Sequence, residues 1–206
     1  AKKIKDLDFY ALKIASYDST SYQLLERLKN LELPFIVSTG ATTKQQIKKT
    51  ANFLKNEIFA LLHCVTIYPT PLDYCSLDKI KYLKKFTKTV GWSDHTEFEK
   101  NSHIASLAAV LNGANIVERH FTILERSKTK DGIVSITPKD ASEFLKLAKK
   151  DDKEIKYSLR NLNKNWKKCL TIKNNRMTKT EKLNLDYYRG RFATKKSKII
   201  FNWQKF

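Results

Sequence analysis

The sequence has few of the features that mark exported, membrane-bound or disulfide-stapled proteins. Its three cysteines are odd in number and widely spaced, without a CxxC pair, which favours reduced thiols over a disulfide framework or a zinc knot. No apolar run approaches membrane-spanning length. The first residues, AKKIKDLDFY, lack an apolar signal segment. We therefore predict a cytoplasmic protein that does not associate with membranes.

Acidic residues are also scarce relative to basic ones. The chain has 40 Lys and Arg against 21 Asp and Glu, a net charge of +19. The excess is concentrated in residues 151–206, which hold 16 basic and 5 acidic residues. Such a basic tail can bind nucleic acid or another anionic surface. Because no RNP, zinc-finger or helix-turn-helix signature accompanies it, we favour a solvated surface and expect no nucleic-acid partner.

Five short apolar segments rich in β-forming residues recur at intervals of about 25 to 30 residues. They are residues 9–15, 34–40, 59–68, 89–94 and 115–121. The segments between them have apolar residues at helical spacing, with predicted N-caps at Thr42 and Thr137 and a terminating glycine at Gly113. This alternation, with nearly continuous apolar strands, predicts a parallel α/β sheet covered by helices.

Two architectures fit this alternation, an open doubly wound sheet and a closed (β/α)8 barrel. No strand is followed by a glycine-rich phosphate loop, which argues against a dinucleotide-binding doubly wound sheet. Polar residues instead follow the strands, as they do at the mouth of a (β/α)8 TIM barrel. These residues are Ser16, Ser38, Thr66, Tyr68, Ser93, His95 and His120. Five βα units do not close an eight-stranded barrel, so the strand count leaves the choice between the two architectures open.

Side chains alternate between the two faces of a strand, which separates the histidines into groups. In the third predicted strand, Thr66 and Tyr68 share one face and His63 lies on the other. If the hydroxyls face the barrel interior, His63 faces the outer helices. We interpret His63 as a core histidine, and His103, inside a predicted helix, as a surface or packing residue.

Two further histidines, His95 and His120, end neighbouring predicted strands. Ser93 shares a face with His95, whereas Asp94 points away from it. Two neutral imidazoles at neighbouring strand ends can bind a divalent metal such as Mn²⁺ or Zn²⁺ and leave positions open for water and a substrate oxygen. Buried histidines have other uses, so the pair alone leaves a core role open.

Five segments of the chain carry a specific combination of motifs. In order they read ALKIAS, IVSTGA, LLHCVTIYPTP, VGWSDHT and IVERHFT. Together they resemble the sialic acid synthase family, and the resemblance runs from about residue 9 to about residue 150. Members of that family are (β/α)8-barrel enzymes that make N-acetylneuraminate and related nonulosonates. The resemblance implies a metal-dependent condensation of phosphoenolpyruvate with N-acetylmannosamine or a related aldose, with release of phosphate.

The resemblance implies roles for individual residues at the metal and the sugar. His95 and His120 match the pair that holds a divalent metal, usually Mn²⁺, which polarises the open-chain aldehyde. Thr66 and Tyr68 match positions that contact the sugar. Asp131 matches an acidic residue that contacts the acceptor, and we assign it a catalytic role.

Four more residues match positions that bind phosphoenolpyruvate in the family. Lys13 and Ser16 match a lysine and a serine that hold the phosphate and the carboxylate. Ser38 and Ser93 match further phosphate-holding hydroxyls. A lysine and several hydroxyl donors suit a substrate with about three negative charges.

The sequence also departs from the family pattern. Members carry three further βα units before the segment that begins here, which supply an acidic catalytic residue and another phosphate-binding lysine. They close with an antifreeze-like domain that reaches the partner subunit in a homodimer, whereas MTKTEKLNLDYYRGRFATKK resembles only the lead-in to one. The resemblance thus implies a partial (β/α)8 barrel, about its last five units, in residues 1–150, and a basic linker or tail with a degenerate start of an antifreeze-like domain in residues 151–206. By resemblance we also expect a homodimer.

Two alternatives stay open at this point. Thr66 stands where asparagine or serine is more usual, so the product could be another nine-carbon sugar acid, such as legionaminic or pseudaminic acid. The missing units and the basic tail suit a different class of protein, a catalytically inactive barrel fragment whose tail binds an anionic partner.

Overall fold

A computed structural model of the chain describes residue 4 and residues 6–171, 177–189, 192–195 and 198–201. For residues 186–189, 192–195 and 198–201 it describes the backbone only. Among the residues described, no helix is long and apolar enough to cross a lipid bilayer.

Five parallel strands form one sheet in the order β1-β2-β3-β4-β5. They are β1 (Leu12–Ile14), β2 (Phe35–Ser38), β3 (Phe59–Cys64), β4 (Val90–Asp94) and β5 (Ile116–Arg119). Strand order that follows chain order is typical of a barrel sector, because a doubly wound sheet reverses its winding at a switch point. The predicted parallel α/β sheet is confirmed. The assignment of this sheet to the last five units of an eight-stranded barrel stays a prediction.

Helices connect consecutive strands and continue after the last one. They are α1 (Tyr22–Lys29), α2 (Lys44–Phe53), α3 (Lys79–Leu83), α4 (Phe98–Asn101), α5 (Ile104–Leu111), α6 (Pro138–Ala148), α7 (Asp152–Leu162) and α8 (Lys179–Arg189). Short 3-10 turns lie at Ser16–Asp18, Leu72–Tyr74, Arg126–Lys128, Gly132–Val134 and Trp166–Cys169. The described residues end in an antiparallel hairpin, β6 (Phe192–Lys195) and β7 (Lys198–Phe201).

Two of the predicted helix ends are confirmed and one is wrong. Thr137 caps α6 in a capping box, and Gly113 follows α5 with a φ of 85°. The predicted cap of α2 at Thr42 is one residue early, because the Thr43 hydroxyl accepts the Gln46 N–H at 3.2 Å. The Thr42 hydroxyl instead donates to a backbone carbonyl in the turn that leaves β2.

The sheet curves strongly around one face. In a flat sheet, four strand spacings of about 4.8 Å would separate β1 from β5 by about 19 Å. Nevertheless the Lys13 Nζ on β1 lies 3.3 Å from the Glu118 Oε2 on β5. These two side chains are too short to span the flat distance. The sheet therefore curls as a sector of a barrel does, and we call the face that carries Lys13 and Glu118 the site face.

The hydrophobic core lies between the opposite face of the sheet and the helices. Trp92 of β4 is fully buried there with leucines from α1, α3 and α5. Burial continues past residue 150, since Ile155 and Leu159 of α7 and Trp166 belong to the same core. The predicted division of the chain at residue 150 stays a prediction, although side chains on both sides of it share one core.

His63, interpreted as a core histidine, and His103, interpreted as a surface or packing residue, both lie on the helix-covered side. His63 is 4% exposed, its Nε2 is 2.7 Å from the Cys75 carbonyl oxygen, and burial is the main reason its pKa falls to about 3. His103 is the N-cap residue of α5 and packs between the rings of Phe98 and Phe144. The interpretation of both as packing residues is confirmed, although His103 precedes its helix instead of lying inside it.

Candidate active site

The predicted site residues come together at the site face and at the strand ends beside it. Lys13, Ser38 and Ser93 lie on strands, while Ser16, Thr66 and Tyr68 lie beyond the ends of theirs. His95 and His120 are each the first residue after a strand. The predicted third strand, 59–68, is too long, because β3 ends at Cys64 and residues 65–68 leave the sheet.

His95 and His120 face each other at the ends of β4 and β5. Their ring centroids are 5.3 Å apart in a T-shaped arrangement, and the Tyr68 ring lies 4.0 Å from that of His95. Burial, and then the charge of His120, lowers the pKa of His95 to about 4. His95 is therefore neutral near pH 7, which is the form that binds metals.

A cavity of about 180 Å³ opens between the ends of β4 and β5. Its lining residues are Ser93, His95, Glu118, Arg119 and His120. The cavity thus joins the two imidazoles to one of the predicted phosphate-binding hydroxyls.

Asp131 reaches His120 from the loop that follows β5. The Thr122 N–H donates to the Ile136 carbonyl and the Ile136 N–H donates to the His120 carbonyl, so residues 122–136 fold back against the end of β5. This loop places the Asp131 Oδ2 3.7 Å from the His120 Nδ1. The distance exceeds that of a hydrogen bond, and a carboxylate beside the second ring nitrogen commonly orients a metal-binding histidine.

The residues predicted to hold phosphate and carboxylate lie toward β1 and β2. The Ser16 hydroxyl accepts the Gly40 N–H at 3.0 Å. The Ser38 Oγ and the Thr66 Oγ1 are buried and lack a hydrogen-bond partner among the residues described. Buried hydroxyls normally have partners, so each of these two has a hydrogen bond available for a ligand or a water. Lys13 supplies the positive charge, and its Nζ lies 3.3 Å from the Glu118 Oε2.

Two residues on the site face were not assigned a role from the sequence. The Cys64 Sγ lies 3.8 Å from the His95 Nδ1, and burial raises the pKa of this thiol to about 11, so it is neutral. Glu118 pairs with Lys13. Strand alternation gave the signal for both, because it places Cys64 with Thr66 and Glu118 with His120.

The separation of the two imidazole rings is compatible with an ion held by both. An ion about 2.1 Å from one nitrogen of each ring would place the two ring centroids roughly 5 Å apart, and the observed separation is 5.3 Å. Within the described part of the chain, no group of three or more His, Cys, Asp or Glu side chains could hold a metal. An ion held by His95 and His120 would keep several coordination positions open for a substrate.

Helix α8 belongs to the segment that resembles the lead-in to an antifreeze-like domain. Its Asn184 Nδ2 donates to the Thr66 carbonyl oxygen at 2.6 Å, so the tail reaches the edge of the site. Side chains from residue 186 onward lie outside the described part of that segment.

The sequence of the chain is similar to those of known proteins. A family profile described as the NeuB family matches residues 1–159. The N-acetylneuraminate-9-phosphate synthase of Drosophila melanogaster is 39% identical over 134 residues, 63% of this chain and 35% of that protein. The N,N'-diacetyllegionaminic acid synthase of Campylobacter jejuni is 30% identical over 175 residues, 82% of this chain and 51% of that protein.

Solved structures also resemble the chain. The spore coat polysaccharide biosynthesis protein SpsE of Bacillus subtilis has a TM-score of 0.69 at 26% identity, covering 87% of this chain and 50% of that one. The N-acetylneuraminic acid synthetase of Leptospira borgpetersenii has a TM-score of 0.66 at 26% identity, covering 92% and 61%. The chain spans about half or less of the length of the two curated relatives above.

Proposed function

This chain belongs to the NeuB family, and from that premise we propose that it acts in the condensation of phosphoenolpyruvate with N-acetylmannosamine or a related aldose. The products are a nonulosonic acid and phosphate. The observation that carries the proposal is the convergence of one lysine, several hydroxyls and two histidines at the ends of five neighbouring strands.

The β1 and β2 side of the site suits the phosphoenolpyruvate anion. The ammonium of Lys13 and the hydroxyls of Ser16, Ser38 and Ser93 would hold its phosphate and carboxylate through charge-assisted hydrogen bonds. The Ser38 hydroxyl is buried without a partner among the described residues, so its hydrogen bond is available to the ligand. Donors fixed in this way need no reorganisation as charge moves during the reaction.

The β4 and β5 side suits the aldehyde end of the acceptor. His95 and His120 are the residues that would hold a divalent metal, for which we propose Mn²⁺. When bound, the ion supplies Lewis-acid polarisation of a carbonyl oxygen. Tyr68 packs on His95 and forms a wall for the sugar, and Asp131 keeps a carboxylate next to His120.

The methylene carbon, C3, of phosphoenolpyruvate would attack the aldehyde carbon held between these two sides, and the aldehyde oxygen would take up a proton to become a hydroxyl. Water then adds to the oxocarbenium carbon, and the tetrahedral intermediate expels phosphate. The residues of this chain position the two substrates and hold the charge that develops on them. We propose that Asp131 holds or moves a proton of the acceptor.

The identity of the acceptor is a second question within the same chemistry. The relatives that match this chain are named for different products, N-acetylneuraminate 9-phosphate and N,N'-diacetyllegionaminic acid among them. The residues proposed to contact the sugar are Thr66, Tyr68 and Asp131. Turnover with a panel of N-acyl hexosamines would identify the acceptor, and a preference for a diacetylated sugar would favour legionaminic acid synthesis.

Phosphate release tests the proposal directly. The protein, incubated with phosphoenolpyruvate, N-acetylmannosamine and Mn²⁺, should release phosphate only when all three are present. Absence of metal-dependent release with every N-acyl hexosamine would contradict a catalytic role for this chain. In that case a thermal shift with a polyanion but none with phosphoenolpyruvate would favour the inactive, anion-binding alternative.

We also propose a cytoplasmic homodimer. The three cysteines are free thiols, which is typical of a reducing compartment. The homodimer rests on the family resemblance, and sedimentation of the purified protein would test it.

A further inference from the structure

A buried ion pair joins β4 to β5 directly behind the two histidines. Asp94 is the last residue of β4 and Arg119 the last of β5, and the strand register makes their Cα atoms partners. The Arg119 Nη1 lies 2.8 Å from the Asp94 Oδ2, and the two side chains are 4% and 0% exposed. Because His95 follows Asp94 and His120 follows Arg119, the pair links the strands one residue before both imidazoles.

The second terminal nitrogen of the guanidinium makes a further contact close to His95. The Arg119 Nη2 donates to the Thr96 carbonyl oxygen at 2.7 Å. Arg119 therefore binds both neighbours of His95 in the chain, Asp94 and Thr96. Its own backbone leads directly into His120. One side chain thus relates the positions of the two histidines.

The partners of Arg119 are themselves held in place. The Asp94 Oδ1 accepts the backbone N–H of Thr96 at 2.8 Å and the Thr96 hydroxyl at 2.7 Å. The Asp94 Oδ2 accepts the Ser106 hydroxyl of α5 at 2.6 Å. The guanidinium also lies 5.3 Å from the centroid of the Phe98 ring. These contacts leave the planar Arg119 fork little freedom to move.

Stability alone does not account for such a pair. Burying two charges carries a desolvation cost that well-packed apolar side chains would avoid, and fixing one geometry is the best-attested use of buried polar groups. Resting on the function proposed above, we infer that Asp94 and Arg119 are positioning residues that set the separation and angle of His95 and His120, and with them the metal affinity of the site.

Arg119→Lys tests this inference, because it keeps the positive charge but cannot bind Asp94 and Thr96 simultaneously in the geometry of the planar guanidinium. Mn²⁺ binding is followed by electron paramagnetic resonance of the free ion, and bound Co²⁺ by its visible absorption. We expect the Kd for Mn²⁺ to rise about 10-fold to 100-fold, as for other residues that orient metal ligands, and the Co²⁺ spectrum to change. The Kd for phosphoenolpyruvate should stay within about twofold, because Lys13 and Ser16 are untouched.

Arg160→Lys is the matched control. It makes the same chemical change at an exposed position in the last turn of α7. Arg160 lies neither on a strand that leads into either histidine nor in the loop that carries Asp131. The inference predicts that this variant binds Mn²⁺ as the parent protein does.

A second variant covers the case in which Arg119→Lys does not fold. Thr96→Val removes one hydroxyl bond to Asp94 and keeps both backbone contacts, and we expect a Kd for Mn²⁺ raised about threefold or more.

A folded Arg119→Lys protein with unchanged Mn²⁺ affinity and Co²⁺ spectrum would overturn the inference and leave the proposed function standing. If Arg119→Lys is unfolded, unchanged affinity in Thr96→Val overturns it. A parent protein that binds neither ion overturns the proposed metal site and this inference together.

Discussion

A Cβ atom added to Gly40 would lie 2.7 Å from the Thr66 Cγ2 and 2.8 Å from the Ser16 Oγ. Carbon atoms pack best at about 3.5 to 4.0 Å, so no side chain fits there without movement. The Gly40 N–H also donates to the Ser16 hydroxyl. Three strand ends, those of β1, β2 and β3, thus converge on the side of the site proposed to hold phosphate, and a glycine permits the approach.

Gly40→Ala should therefore destabilise the protein by about 1 to 3 kcal/mol, the usual cost of overpacking. Urea unfolding measures the change. The nearest atom is the Thr66 methyl, so adding Thr66→Ser should recover part of the loss, and Thr66→Ser alone completes the double-mutant cycle. Independent effects of the two substitutions would show that the crowding does not act through that methyl group.

Lys13 should decide the affinity for phosphoenolpyruvate. Lys13→Met removes the ammonium proposed to hold the phosphate or carboxylate, and we expect the Kd measured by calorimetry to rise about tenfold or more. Mn²⁺ affinity should change little, because the metal pair is on the other side of the site. Lys29→Met is the control, since Lys29 lies on α1 and pairs with Glu26 of the same helix. Equal phosphoenolpyruvate affinity in both variants would remove Lys13 from the proposed site.

His95 and His120 should both be necessary for metal binding. His95→Gln and His120→Gln each remove one of two proposed protein ligands, so the Kd for Mn²⁺ should rise more than about 100-fold and metal-dependent turnover should be lost. His103→Gln, on the helix-covered side, makes the same chemical change away from the pair. A loss of only a few-fold in the first two variants would assign the metal to other residues.

The strands and the faces on which their side chains lie were largely predictable from the local pattern of apolar and polar residues. The apolar segments ending at Ser38 and Asp94 are strands because both of their faces are buried, and their alternation correctly separated His95 from Asp94. His63 was correctly interpreted as a core residue by the same argument. These features depend on residues close together in sequence, which is the information that periodicity carries.

The features that were missed depend on contacts between distant strands. The ion pair of Lys13 with Glu118 exists only because the sheet curls. The ion pair of Arg119 with Asp94 depends on the register between β4 and β5. Neither curvature nor register is visible in a single strand. The N-cap of α2 was misplaced by one residue because Thr42 and Thr43 are chemically equivalent caps, and only the backbone direction selects between them.

The three cysteines should be inert in the folded protein. All are buried, and burial raises the pKa of Cys64 to about 11 and that of Cys169 to about 12, so the reactive thiolate is scarce near pH 7.5. Mass spectrometry after brief treatment with iodoacetamide should show no modification of the native protein and three modified cysteines after denaturation. Rapid native labelling of Cys64 would show that the site opens to solvent.

Acid should destabilise the protein through its buried histidines. The pKa of His63 is lowered to about 3, from an ordinary value of 6.5, mainly because the ring is buried. Below about pH 6.5 the unfolded chain therefore binds a proton that the folded chain does not, and stability falls as the pH falls toward 3. His95, with a pKa of about 4, adds to the same trend.

The slope approaches about 1.4 kcal/mol of unfolding free energy per pH unit for each buried histidine that is protonated in the unfolded chain and neutral in the folded one. Urea unfolding at pH 7.5, 6.5 and 5.5 measures it, in a range where carboxylates with lowered pKa, such as that of Asp94, stay ionised in both states. His63→Gln can retain a donor to the Cys75 carbonyl but has no titrating ring, so its stability should depend less on pH. If the free energy of unfolding depends on pH equally in the variant and the parent, His63 becomes protonated in the folded protein. The surroundings of the ring would then stabilise a charged imidazole.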